Sequence, residues 1–311
     1  MSLLADESFA LLFPGQGAQH VGMAGPWCFD CPPALTRFQQ ASEVLGYDLL
    51  EVCTNGPAEQ LNTTAVSQPA LLVTSLAMLE VLRLQDGSPV ARGGDESFTA
   101  GLSLGEYSAL VHAGALDVQS AVRVVDVRGR AMQACADAEP GGMVAILGLE
   151  RDRVEEVCDA SRGNDVLSIA NVLCPGNIVV SGGRAACERV AEEATKAGAM
   201  KSIPLEVAGA FHTQLMEPAR EKLAAVLEET DLRVPRIPVI SNVDAKPHTD
   251  PAEIRDLLAR QVCGVVEWHA SMEFLLSTGV GGFWEVGPGR VLRGLLKRIN
   301  RKMPCKGVID S

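Results

Sequence analysis

Gly101-Leu102-Ser103-Leu104-Gly105-Glu106 sets a serine between two glycines, with the strand-like run Glu96-Ser97-Phe98-Thr99-Ala100 before it and the helix formers of Glu106 to Ala115 after it. A strand, a sharp turn and a helix in that order form a nucleophile elbow, which exposes the turn side chain at the top of a sheet. Glycine at 101 and 105 suits two elements that approach closely, because a side chain at either position would obstruct them. Ser103 then lies at a helix N-terminus, where free N–H groups and the dipole favour an oxyanion. The same pattern also fits a turn serine that caps a helix, so the surrounding chain has to decide between the two.

Upstream, Phe9 to Phe13 reads as a short buried strand that stops at Pro14-Gly15-Gln16-Gly17, a loop whose glycines let backbone approach a ligand. Helices are expected from about Pro33 to Leu45, Gln68 to Leu84 and Asp117 to Cys135. Strands alternating with amphipathic helices predict an α/β fold, a parallel sheet with helices on both faces. Pro140-Gly141-Gly142 breaks that rhythm. A strand at Met143 to Leu149, a helix at Arg151 to Ser161 and strands at Val166 to Leu173 and Asn177 to Ser181 follow; a helix at Arg184 to Gly198 and a strand at Met200 to Leu205 complete the unit. That order is β-α-β-β-α-β, the ferredoxin-like split motif. The longer pattern then resumes, with helices near Thr213 to Glu229, Pro251 to Val262, His269 to Ser277 and Arg290 to Lys302, and strands near Pro238 to Ser241 and Gly282 to Val286. The expected organisation is a large domain of residues 1–137 and 206–311 with a small domain, 138–205, inserted in it. The site is expected in the cleft between them.

Of 311 residues, 47% are hydrophobic and 21% charged, ample material for a core. A net charge of -12 argues against a nucleic-acid or anionic-membrane binder, since phosphate contacts need dense positive charge. Nine cysteines lie scattered, mostly inside apolar runs, which suits reduced thiols and a cytoplasmic location. Cys28-x-x-Cys31 has no second pair at zinc-ligand spacing, and no metal site is expected. The stretch Met1 to Glu7 lacks the basic and apolar regions of a signal peptide, and no membrane span of about 20 apolar residues is read.

A serine nucleophile needs a base, and of the five histidines His212 has the most suitable setting. It follows Val207-Ala208-Gly209-Ala210-Phe211, a run of small residues that brings an imidazole close to other backbone, whereas His112 falls inside the elbow helix and His269 at a helix start. The third member is open: Glu267 and Asp244 are candidates, and a main-chain carbonyl would serve equally to orient the ring. Arg128 stands out by periodicity, near the middle of an apolar helix face formed by Val124, Val125, Ala131, Met132 and Cys135. A guanidinium there needs an anion, either an internal carboxylate or one that arrives with the substrate and is held by two parallel hydrogen bonds. The oxyanion hole calls for two backbone N–H groups, read here as those of Leu104 and Gln16.

Phe13-Pro14-Gly15-Gln16-Gly17-Ala18-Gln19, Gln68-Pro69-Ala70-Leu71, the elbow continued through Leu110, Arg128-Gly129-Arg130-Ala131-Met132, Phe211-His212-Thr213-Gln214-Leu215-Met216, Ser241-Asn242-Val243 and Glu285-Val286-Gly287-Pro288-Gly289 occur in this order along nearly the whole chain. Together they resemble the malonyl-CoA:acyl carrier protein transacylases. The resemblance implies an α/β-hydrolase-like large domain with a ferredoxin-like insertion, Ser103 as nucleophile, His212 as base, Gln16 and Leu104 as oxyanion donors, and Arg128, with Gln68, on the malonyl carboxylate. It implies that Phe211 limits space beside the acyl group and disfavours a methylmalonyl unit. Malonyl-CoA is then the donor, an acyl carrier protein the acceptor, and no cofactor is required; a monomer is expected. The product would feed fatty-acid or polyketide synthesis. Three positions depart from the family: Leu102 where it usually has histidine, the stretch Asn171 to Gly176, and Glu267 where many relatives have an amide. Carrier docking calls for a basic patch, and the run Arg290, Arg293, Lys297, Arg298, Arg301 and Lys302 is one candidate, though a solvated helix face explains it as well. Two other functions fit parts of the pattern: a serine esterase or thioesterase with water as acceptor, and a catalytically silent carrier-binding module.

Overall fold

Every residue of the first strand, β1 (Phe9–Phe13), is buried, and successive side chains enter different cores. Phe9, Leu11 and Phe13 join one apolar cluster while Ala10 and Leu12 join another, so both faces of the strand are covered, as in a parallel sheet between helical layers. The computed structural model describes residues 8–91 and 93–309; the stretch Met1 to Glu7, expected to lack a signal peptide, lies outside them. After β1 come α1 (Pro26–Phe29), α2 (Pro32–Leu45), α3 (Leu49–Asn55), α4 (Ala58–Leu61), α5 (Thr64–Leu84), β2 (Glu96–Gly101), α6 (Gly105–His112) and α7 (Val118–Ala138). The middle of the chain gives β3 (Gly141–Leu147), α8 (Arg151–Arg162), β4 (Leu167–Cys174), β5 (Asn177–Gly183), α9 (Arg184–Lys196) and β6 (Lys201–Pro204). The remainder forms α10 (Glu217–Glu228), β7 (Val239–Ile240), β8 (Pro247–His248), α11 (Pro251–Gln261), α12 (Trp268–Ser277), β9 (Gly282–Glu285), α13 (Val291–Ile299) and β10 (Cys305–Gly307).

Two sheets result. The first has the order β10-β9-β1-β2-β7-β8, parallel throughout except for β8, which pairs antiparallel with β7. Phe13 pairs with Gly101, so the loop after β1 and the elbow after β2 leave the same carboxyl edge of the sheet, where open α/β sheets bind their ligands. The second sheet is antiparallel, β4-β5-β3-β6, and its element order is the β-α-β-β-α-β read from the sequence. It packs against α8 and α9 through its own core, which includes Val144, Ile146, Val154, Val157 and Val190. A short parallel bridge ties β4 of the second sheet to the segment just before α12: the Val172 N–H donates to Val266 O at 3.0 Å and the Val266 N–H to Ala170 O at 2.8 Å.

The helix boundaries shift for identifiable reasons. The helix expected from Gln68 begins instead at Thr64 and holds Pro69 inside its second turn. With 21 residues α5 is long and apolar enough to cross a membrane by length and composition, but it is a core helix, buried at every position from Ser67 to Leu79. The helix placed at Thr213 opens instead as a 3-10 turn, Gln214–Met216, before α10. Strands β8 and β10 have two and three residues, too few to show a period. All nine cysteines are free, and Cys28 and Cys31 end up on α1 and just before α2.

Candidate active site

Ser103 sits at the elbow with φ 49°, a left-handed conformation that a non-glycine residue rarely adopts. The turn closes through the Leu102 N–H to Phe13 O and the Gly105 N–H to Leu102 O, both 2.9 Å. A Cβ on Gly101 would overlap the Gly105 carbonyl, and one on Gly105 would overlap Phe13 O, so close approach rather than turn angle requires glycine at both positions. Gly15 lies as tightly against Leu102 O, which brings Gln16 beside the elbow. Leu104 is the N-cap of α6. Among the described residues, neither its N–H nor that of Gln16 donates to a protein acceptor.

The Ser103 Oγ lies 3.0 Å from His212 Nε2. On its other side the ring meets the Gln261 carbonyl, at 2.9 Å from Nδ1. A carbonyl only accepts, so Nδ1 carries the proton and Nε2 presents its lone pair to the serine hydroxyl. Burial, reinforced by the nearby Arg128 charge, holds the imidazole down at about 4, so it is a neutral, ready base at neutral pH. His212 is also left-handed, φ 60°.

Glu267 does not orient the ring. Its carboxylate receives Arg151 Nη1 at 2.9 and 3.1 Å, and Asp244 is taken by His248. The reason is topological: Glu267 precedes α12 and pairs with Arg151 of α8, so it ties those two helices together instead of turning toward His212. The remaining histidines lie against other partners, His112 against Glu96, His269 against Glu273 and His20 against the Val21 carbonyl. Leu102 is buried in the apolar cluster that contains Cys174, Ile240, Val266 and Trp268, so the family's usual histidine is replaced here by packing.

Arg128 comes from α7 and is 1% exposed. Nη1 donates to Gln68 Oε1 at 2.6 Å, and Nη2 to Gln261 Oε1 at 3.0 Å and to Ser103 Oγ at 3.1 Å; the guanidinium also lies 5.5 Å from the Tyr107 ring centre. It forms no ion pair with a carboxylate among the described residues, and its Nε has no partner. Gln68, fully buried on α5, passes its own Nε2 to Met132 Sδ at 3.4 Å. Phe211 is buried next to His212.

Three residues complete the site that the sequence did not single out for a role. Asn242 accepts the Ser103 N–H on Oδ1 at 2.6 Å and donates Nδ2 to Gly101 O at 2.7 Å. Gln261 donates Nε2 to Ser103 O at 3.1 Å, besides holding His212 and Arg128. Glu106 accepts both the Asn242 N–H, at 3.0 Å, and Gln261 Nε2, at 2.7 Å, on the same oxygen. Burial pushes its carboxyl up to about 7, against the pull of those two donors and of Arg128. Gln261 had a signal: it follows Ile254, Leu257 and Leu258 on the buried stripe of α11, the same anomaly that marks Arg128. Glu106 had a misleading one, because Ser103-x-x-Glu106 has capping-box spacing, which would return the carboxylate to Ser103 N–H.

A hydroxyl on a left-handed elbow, a neutral imidazole, two undonated N–H groups and a buried guanidinium gathered at the elbow suit acyl transfer through a serine. The fold and this arrangement define an α/β enzyme of the acyl-transfer class. The model of the acyl transferase domain family matches residues 10–298, and the chain belongs to that family. It is 44% identical over 291 residues to the malonyl CoA-acyl carrier protein transacylase of Salmonella typhimurium, covering 94% of this chain and 92% of the relative. The solved malonyl CoA-acyl carrier protein transacylase of Coxiella burnetii superposes with a TM-score of 0.93 at 36% identity, covering 98% and 94%. A type II PKS acyl-carrier protein in complex with its malonyl-transacylase supplies another similar structure, with a TM-score of 0.92 at 40% identity and coverage of 98% and 96%.

Proposed function

We propose that this protein is an [acyl-carrier-protein] S-malonyltransferase: it takes a malonyl group from malonyl-CoA and passes it to the phosphopantetheine thiol of an acyl carrier protein, by way of an ester on Ser103. The observation that carries the reading is Arg128, a fully buried cation without a carboxylate partner among the described residues, 3.1 Å from the nucleophilic oxygen. The malonyl carboxylate supplies the missing anion, and gripping it sets the thioester carbonyl beside Ser103.

In the first half, Ser103 Oγ attacks the thioester carbon and His212 Nε2 takes the hydroxyl proton. The oxyanion forms against the N–H groups of Leu104 and Gln16. Collapse breaks the carbon–sulfur bond, and the coenzyme A thiolate leaves with the proton from His212. In the second half, His212 removes the proton of the carrier thiol, the thiolate attacks the serine ester, and Ser103 recovers its proton as the carbon–oxygen bond breaks. The chemistry calls on no cofactor. Phe211 beside the base restricts the acyl group and favours malonyl over its branched analogue.

Relatives bearing the transacylase name and the solved relative complexed with an acyl-carrier protein support a carrier as acceptor. The basic face of α13, with Lys297 and Arg298 in its last turn, is our candidate for the acidic carrier. We assign residues 138–205 to a small inserted domain, residues 1–137 and 206–311 to the catalytic one, and place the protein in the cytoplasm as a monomer, in keeping with nine free thiols.

Brief exposure to malonyl-CoA followed by mass spectrometry tests the assignment. The peptide containing Ser103 should gain a malonyl group, discharge it to carrier protein, and gain nothing in Ser103→Ala. No mass gain in the native protein would leave a silent binding module. Release of free malonate without malonyl-carrier would make the protein a thioesterase.

A further inference from the structure

Glu106 Oε2 is the point where the two halves of the site meet. Asn242 and Gln261 are far from Glu106 in sequence and come from different elements, Asn242 after β7 and Gln261 at the end of α11, yet both donate to this oxygen. Beyond them the contacts divide. Asn242 holds the elbow, through Ser103 N–H and Gly101 O. Gln261 holds the base through its carbonyl and the guanidinium through Oε1, and touches Ser103 O as well. Glu106 itself touches neither Ser103 Oγ, His212 nor Arg128 by hydrogen bond, and it is 3% exposed.

We propose that Glu106 is a positioning residue that keeps the nucleophile, the base and the carboxylate clamp in register by pinning Asn242 and Gln261 to one oxygen. The inference rests on the serine–histidine reading above. Its physical content is reach: the elbow and the histidine loop belong to distant parts of the chain, and a shift of about 1 Å between reacting groups costs about a hundredfold in rate.

Two variants separate reach from charge. Glu106→Asp keeps the carboxylate but withdraws it by one carbon–carbon bond, about 1.5 Å. Glu106→Gln loses the charge but keeps an oxygen at the right distance for both amides. Single-turnover acylation of Ser103 by malonyl-CoA should fall about a hundredfold in Glu106→Asp and only about fivefold in Glu106→Gln, the difference between a charged and a neutral acceptor. The effect should fall on the rate constant, with KM for malonyl-CoA changed by less than about threefold, because Gln68 still holds Arg128. The low-field proton resonance of His212 Nδ1–H, the hydrogen bond to Gln261 O, should move in the aspartate variant and stay in the glutamine variant.

The opposite ranking of the two variants overturns the proposal, since charge would then matter more than position. Equal, full activity in both overturns it too. Should Glu106→Asp fail to fold, Glu106→Gln decides alone: a folded variant slowed by about fivefold with the His212 Nδ1–H resonance in place supports pinning, and a folded variant that is either as fast as native or inactive refutes it. Loss of acylation in Ser103→Ala alongside unaffected Glu106 variants would remove this inference and leave the proposed function intact, whereas persistent acylation in Ser103→Ala would remove that function itself.

Discussion

Two arginines, Arg128 fully buried and Arg293 half-buried, are treated in opposite ways. Arg293 lies against Glu285, Nε to Oε2 at 3.2 Å, and the same carboxylate takes the Leu292 and Arg293 N–H groups at the start of α13. Arg128 meets two amides and a hydroxyl. Where the guanidinium has its carboxylate, the site is closed and holds the fold together. Where, among the described residues, it meets only neutral partners, the charge stands without its complement, the open position proposed above for a ligand anion.

The contrast breaks first at substrate choice. Arg128→Ala should depress malonyl transfer by about a hundredfold or more, the usual result of truncating a desolvated ion pair, and acetyl transfer by less than about tenfold. Similar losses for both acyl groups would show that Arg128 is as closed as Arg293. Stability should invert the ranking. Arg293→Ala strands Glu285 and should lower the urea-unfolding free energy by about 3 kcal/mol, whereas Arg128→Met removes an unpaired charge and should be neutral or stabilising by about 1 kcal/mol.

Titration sharpens the same comparison. His212 is held at about 4 against an ordinary 6.5, so within that window the unfolded chain binds a proton that the folded one refuses, and stability falls as pH drops. Glu106 is raised from 4.5 to about 7, so within its window the folded chain keeps a proton the unfolded one has lost, and stability falls as pH rises. In the native protein the two slopes oppose each other between pH 4.5 and 6.5. Glu106→Gln removes one of them, and its unfolding free energy should climb by roughly 3 kcal/mol from pH 4 to 6.5. Parallel native and variant curves in urea titrations at stepped pH would contradict this. The smallest effect belongs to the surface: Glu267→Gln breaks a half-exposed pair with Arg151 and should cost under about 1 kcal/mol, with kcat/KM unchanged, whereas a large loss of activity would return Glu267 to the histidine.

Much of this was legible in the sequence because it rests on local signals. The elbow glycines, the apolar stripe around Arg128 and the β-α-β-β-α-β order can each be read within a few tens of residues. What joins them was not. Asn242 follows a two-residue strand, and the carbonyl that orients His212 is main chain, which no residue type announces. Glu106 even pointed the wrong way, since its capping-box spacing is overridden when Asn242 takes the Ser103 N–H first. Glu267 failed as orienter for a related reason: proximity to the site depends on which way a loop enters α12, and Arg151 of α8 claims it. Local pattern names the reacting groups; long-range hydrogen bonds decide which of their neighbours matter.

The backbone at position 103 has one last consequence. At φ 49° a branched β-carbon would be forced against the main chain, so threonine, which offers the same hydroxyl, is a poor replacement there. Ser103→Thr should therefore distort the turn before chemistry begins, and exchange between the two alcohols, routine on protein surfaces, is closed at this residue by conformation rather than by reactivity.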